Sequence, residues 1–231
     1  MSSIEYNLRE IRNKIEMAAR KSNRSSRDIT LVVVTKTVKV EEIKKALDMG
    51  VTNIGENRIQ EALEKYRALK DYNVKWHMIG HLQSNKAKYA AKFIELIHSL
   101  DRISLAKELN KRAAKLNRIM DVLIQVNIAK DENKFGLMPE EVEDFMLYVA
   151  DEYENLKIKG LMTIVPYVED PEEVRPYFRQ MNRMFQKYKD YGFKDIEMKH
   201  LSMGMTNDFE VAVEEGANMV RIGSGIFGPR V

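Results

Sequence analysis

Apolar and polar positions alternate between two periods along this chain. The first segment places Ile4, Leu8, Ile11, Ile15 and Met17–Ala18 on one stripe, which predicts a helix running to about Lys21. The period then changes. Thr30–Thr35 (TLVVVT) is a continuous run of mostly β-branched residues, the pattern of a strand buried on both faces. Val40–Met49 returns to helical spacing and stops at Gly50, a C-terminal cap.

The alternation continues to the end. Apolar runs at Val51–Ile54, Val74–Ile79, Phe93–His98, Asp121–Asn127, Leu156–Ile164, Ile196–Leu201 and Met219–Ile222 predict seven further strands. Helical patterns fall between them at Gln60–Leu69, Lys86–Ala91, Ser104–Leu116, Pro139–Glu154, Pro171–Tyr191 and Asp208–Glu215. Pro139 and Pro171 suit first helical turns, and Asn207 or Asp208 would cap the last helix. Eight strand candidates result, each but the last followed by a helix. Right-handed βαβ units imply a parallel sheet, and eight units in about 200 residues suit closure into a barrel. An open doubly wound sheet fits the alternation too, but the first βα turn carries no Gly-x-Gly-x-x-Gly fingerprint. The expected architecture is α/β: a single (β/α)₈ barrel with an extra N-terminal helix, one domain over residues 1–231, without linker or internal repeat.

Composition narrows the function. In 231 residues, 38 basic side chains nearly balance 35 acidic ones, dispersed rather than blocked, so nothing favours a nucleic-acid partner. Cysteine is absent, which excludes disulfides and thiolate chemistry and suits a reducing compartment. Neither a secretory signal nor a stretch of roughly 20 apolar residues is present, so the expectation is a cytoplasmic chain outside the membrane. The Asn-Arg-Ser triplet at Asn23 then reads as a solvated loop.

In such a barrel, chemistry gathers where strands end. The polar residues there are Lys36, Asn57, His77, His81, Ser99, Asn127, Thr163, Ser202 and Arg221. Lys36 leaves a buried strand at the barrel mouth. It either snorkels to water or, with its pKa lowered, acts as an imine-forming amine. Residues 200–229 hold two glycine-bearing polar loops, Ser202–Gly204 and Gly223-Ser224-Gly225, after strands seven and eight, where barrels often bind phosphate. Closure makes strand eight the neighbour of strand one. Lysine beside a phosphate site suits a phosphorylated carbonyl compound, either pyridoxal 5′-phosphate (PLP) or a sugar phosphate in an aldolase reaction. His77 and His81 are four apart but straddle a strand end, so no metal site is expected. Lys134 reads as a solvated loop lysine, with gating or ligand transfer as the alternative.

Seven segments together resemble a known family: VVVTKT (32–37), GENRIQE (55–61), WHMIGHLQSNK (76–86), KFGL (134–137), GLMTIVP (160–166), LSMGMTNDFEVA (201–212) and VRIGSGIFG (220–228). The chain is similar to the PLP homeostasis proteins, the YggS/PROSC type, with Thr206 where serine is expected. The resemblance implies an alanine-racemase-like barrel without that enzyme's β-rich domain. It implies PLP as cofactor, Lys36 as the imine lysine and Asn57 lining the ring. Ser202, Gly204, Gly223 and Ser224 would hold phosphate with backbone help near Met205, and Arg221 would face the pyridine nitrogen. It further implies a monomeric, non-catalytic carrier that delivers PLP through transient contact with PLP-dependent enzymes. Racemisation, the alternative, needs a second proton donor, and the few residues after Gly228 are not expected to build one.

Overall fold

A computed structural model describes residues 3–189, 192–193 and 195–229. Its eight described strands are β1 (Thr30–Val34), β2 (Asn53–Glu56), β3 (Lys75–Met78), β4 (Leu96–Leu100), β5 (Met120–Val126), β6 (Leu156–Thr163), β7 (Ile196–Ser202) and β8 (Met219–Ile222). They pair in parallel, in chain order, and close on themselves. Closure runs through Thr30↔Met219, Leu31↔Val220, Val32↔Arg221 and Val33↔Ile222.

The described helices are α1 (Ser3–Lys21), α2 (Val40–Asp48), α3 (Ile59–Ala68), α4 (Ala87–Phe93), α5 (Ile103–Lys115), α6 (Val142–Glu152), α7 (Arg175–Lys189), α8 (Phe209–Glu214) and α9 (Ser224–Phe227). The predicted stripe of α1 is its buried face. It packs on α8, α9 and α2. The one-turn α9 is too short to cover β8, so α1 fills the eighth place in the outer ring. The Asn7 side-chain amide donates to the Ile226 carbonyl (3.0 Å), and Arg24 donates to those of Val213 and Ala217 just beyond its end.

Several boundaries differ from the pattern. β2 is Asn53–Glu56 rather than 51–54, because the buried Glu56 is neutralised by Lys65 and so stays within a strand. Phe93 ends α4 and packs on Tyr66 and Trp76, so the fourth strand starts at Leu96 and contains Ser99. Pro139 and Pro171 open 3₁₀ turns leading into α6 and α7. The predicted end of the sixth βα unit's helix, Tyr191, lies outside the described residues. β8 is followed by a helix after all, α9.

Two apolar layers result. A large cluster lies between strands and helices, and a smaller one of Val32, Leu96, Leu123, Met162 and Met219 fills the barrel's interior. Gly160 is where β6 and β7 shift register. Its φ is +140°, and a Cβ would sit 1.9 Å from the His200 carbonyl oxygen. Gly160→Ala is therefore expected to destabilise the barrel by about 3 kcal/mol or more. An unchanged urea midpoint would contradict it.

Candidate functional site

Strand alternation decides what faces the barrel's axis. Met219 belongs to the interior cluster, so Arg221 two residues later also faces inward. Val32 pairs with Arg221 and is interior too, which puts Val34 on the inner face of β1, and Lys36 lines the cavity just beyond the strand's end. Lys36 and Arg221 thus share one chamber. It is a cavity of about 900 Å³ at the C-terminal ends of the strands. Its walls include Lys36, Asn57, Met205, Arg221, Gly223 and Ser224. Six of the eight residues singled out in the sequence meet there.

The other two lie deeper. Ser202 is fully buried, and its hydroxyl accepts from Arg221 Nη1 (2.7 Å) and contacts His98 Nδ1 (3.0 Å). Its place is beneath Arg221 rather than on the cavity wall. Gly204 (φ +92°) has no room for a Cβ, which would lie 2.6 Å from Ala212 Cβ. It lets the loop fold against α8, and its carbonyl accepts from the Arg221 amide. Asp208 precedes α8, but its carboxylate accepts from the Met205 amide (2.6 Å) instead of capping the helix.

Arg221 is buried and held at two points, with Nη2 donating to the Thr163 carbonyl (2.8 Å). Burial lowers its pKa to about 10, against the opposing attraction of Asp208, so it stays cationic at neutral pH. Burial likewise raises the pKa of Asp208.

Below Arg221 runs a hydrogen-bonded chain through the barrel. Ser202 contacts His98, His98 Nε2 contacts His77 Nδ1 (2.9 Å), and His77 Nε2 contacts Asn53 Oδ1 (3.0 Å). Asn53 Oδ1 can only accept, so His77 carries its proton on Nε2 and accepts at Nδ1. His98 then donates from Nε2 and accepts from the Ser202 hydroxyl, whose lone pairs take the Arg221 proton. Every link points the same way, and both rings are neutral. Desolvation agrees: it lowers His77 to about 3 and His98 well below 6.5.

At the rim the loops after β7 and β8 meet through Thr206. Its hydroxyl oxygen accepts from the Gly225 amide (3.2 Å) and contacts the Ser224 hydroxyl (3.3 Å). In the sequence Thr206 stands out only as a departure from the serine that the family resemblance leads one to expect. Gln125, Ile164 and Tyr167 are further wall residues the strand-end survey missed. Gln125 sits one step before the strand end, where inward alternation alone would have found it. His81 stacks on Phe135 (centroids 3.9 Å apart), and both line the cavity with Lys134. Among the described residues no group of three His, Asp or Glu side chains could hold a metal ion, and no helix is long and apolar enough to cross a membrane.

A closed parallel barrel with a cavity between a lysine just past β1 and a buried β8 arginine defines a class of proteins with a barrel built like the N-terminal domain of alanine racemase. The family described as "Alanine racemase, N-terminal domain" matches residues 3–231. A pyridoxal phosphate homeostasis protein of Aquifex aeolicus is 46% identical over 224 residues, covering 96% of each chain. The solved structure of PipY from Synechococcus elongatus, with PLP bound, is 32% identical with a TM-score of 0.79, covering 87% of this chain and 93% of that one. Alanine racemase of Clostridium difficile shares the fold alone, at 18% identity and a TM-score of 0.72, and this chain covers 57% of it. The chain belongs to the pyridoxal phosphate homeostasis protein family.

Proposed function

We propose that this protein binds PLP as an imine on Lys36 and holds it for delivery to PLP-dependent enzymes, without turning over a substrate. The observation that carries this is the single chamber joining Lys36, Arg221 and the two loops at Met205–Thr206 and Gly223–Ser224. Its donor set suits a phosphorylated pyridine aldehyde: an amine, a buried cation, and glycine-bearing loops whose amides and hydroxyls can meet an anion. The bound PLP of a relative 32% identical, and the homeostasis name of a relative 46% identical, support it.

In this proposal Lys36 supplies the amine and Asn57 lines the ring. Gly223, Ser224 and the backbone near Met205 hold the phosphate, with Thr206 bracing their loops. Arg221 faces the pyridine nitrogen. Ser202 and Gly204 act one layer back, Ser202 by fixing the guanidinium and Gly204 by permitting the turn. When bound, PLP supplies a carbonyl carbon for amine exchange and a ring that withdraws electrons. A guanidinium beside the ring nitrogen disfavours its protonation, since two cations would be juxtaposed, and so weakens electron withdrawal compared with an acidic partner. Weak electron withdrawal suits storage better than carbanion chemistry. We place this action in the cytoplasm and assign it to one barrel over residues 1–231, working as a monomer.

One observation favours racemase-type catalysis as the second reading: Lys134 and Tyr167 line the same cavity and could offer a proton from another wall. The deciding experiment is the visible spectrum of the purified protein with PLP, before and after borohydride, followed by peptide mapping. The expected result is a yellow protein whose band vanishes on reduction, with the cofactor fixed to the Lys36 peptide, and no racemisation of amino acids. Turnover would favour the second reading. A protein that stays colourless with PLP would overturn the proposal in favour of an aldolase-type lysine.

A further inference from the structure

Lys36 lines the cavity, and its two neighbours are held from the side of α3, Thr35 at its carbonyl and Thr37 at its amide. Anything that fixes the Lys36 backbone without filling the cavity must grip these two residues. Two residues of α3 do so: Lys65, from a buried position, holds Thr35, and Glu61 holds Thr37. The Lys65 ammonium donates to the Thr35 carbonyl (2.5 Å), to Glu56 Oε1 (2.8 Å) and to Glu61 Oε1 (2.6 Å), which uses all three of its protons. Glu56 Oε1 also accepts from the Thr35 hydroxyl (2.6 Å), and Glu61 Oε1 accepts from the Thr37 amide (2.6 Å).

Thr37 lies in the left-handed region, at φ +63°. That conformation is costly for a β-branched residue and persists only where the surroundings enforce it. Two groups do so here: the Thr35 carbonyl, which accepts from the Val38 amide (2.9 Å) and closes the turn, and the Glu61 carboxylate on the Thr37 amide. Lys65 and Glu61 are four apart on α3 and reach the same point by helical spacing. Glu56 Oε2 is buried without a partner, so the triad retains an unsatisfied atom that simple packing would have avoided. Burial also raises the pKa of Glu56, which Lys65 and Thr35 oppose.

We propose that Glu61, Lys65 and Glu56 are positioning residues that clamp Thr35 and Thr37 so that Lys36 is presented to the cavity in one backbone conformation. This rests on Lys36 being the reactive amine of the proposed function. None of the three lines the cavity, so their influence on a ligand would pass through the Lys36 backbone.

The test uses Glu61, whose side chain is partly exposed and whose loss the fold tolerates best. Glu61→Ala removes the Thr37 acceptor, and Glu61→Gln restores a neutral one. In the full-length protein, Glu61→Ala is expected to weaken PLP retention by about tenfold, since tenfold is only ~1.4 kcal/mol of lost pre-organisation. The pH midpoint of the imine band should shift as well, and Glu61→Gln should recover most of both. Unaltered affinity and midpoint in Glu61→Ala would overturn the clamp. Competitive acetylation of Lys36 in the PLP-free protein gives an independent readout. A changed Lys36 labelling rate in Glu61→Ala, with other lysines unaffected, is expected even if PLP forms no imine with the wild type. In that case the proposed function fails and the clamp stands; equal labelling rates would sink the clamp alone.

Discussion

Lys36→Ala is expected to abolish the reducible absorption band and to weaken PLP retention by at least about 100-fold, equivalent to roughly 2.7 kcal/mol. The loops at Thr206 and Gly223–Ser224 and the guanidinium of Arg221 remain in the variant, so weak non-covalent binding should survive. The cavity holds a second amine, Lys134, which makes the experiment discriminating. Lys134 lies within reach of Asp131 (3.9 Å) and is partly exposed beside Phe135. Lys134→Ala should therefore keep the band. If Lys36→Ala retained it and Lys134→Ala lost it, Lys36 would be a strand-end lysine snorkelling into a wet chamber, and the roles of the two amines would have to be exchanged.

Acidification from pH 7 to pH 5 should cost the folded protein roughly 2 kcal/mol of unfolding free energy from His77 alone, with His98 adding to the loss in the same direction. His77 is held at about 3 and His98 well below 6.5, both by desolvation inside the barrel. Their folded pKa values lie below the unfolded value. The unfolded chain therefore takes up protons first as pH falls below 6.5, and stability drops until the folded pKa is reached. His200, lowered to about 4, adds less because it is partly solvated. The buried carboxyls of Glu56 and Asp208 and the half-buried one of Asp121 work the other way, since desolvation raises their pKa values and favours the folded state as they protonate. Urea unfolding at the two pH values measures the balance. His77→Gln, which keeps a donor and an acceptor, should remove much of the pH dependence. The same pH dependence in wild type and His77→Gln would mean that the ring is protonated in the folded barrel, contrary to the one-directional chain from Arg221 to Asn53.

The sequence by itself determined the class of fold, because period-2 and period-3.6 patterns are local and each βα unit writes its own. It also pointed to Lys36 and Arg221, since a charged residue ending a run such as LVVVT or following NMV is conspicuous without any tertiary information. Their meeting required closure, which β1–β8 pairing supplies and no local pattern encodes. Ser202 shows the limit most clearly. A serine two residues before a glycine at a strand end reads as an anion ligand, yet inward alternation carries its hydroxyl under Arg221, where His98 from β4 meets it. Glu56 and Lys65 show it again: each looks like a surface charge, and only the packing of α3 against the ends of β1 and β2 buries them together. Periodicity is a property of neighbours in sequence. Which polar atoms satisfy one another is decided by residues such as His77 and His98, or Ser202 and His98, that are far apart in the chain, so only the closed barrel could settle it.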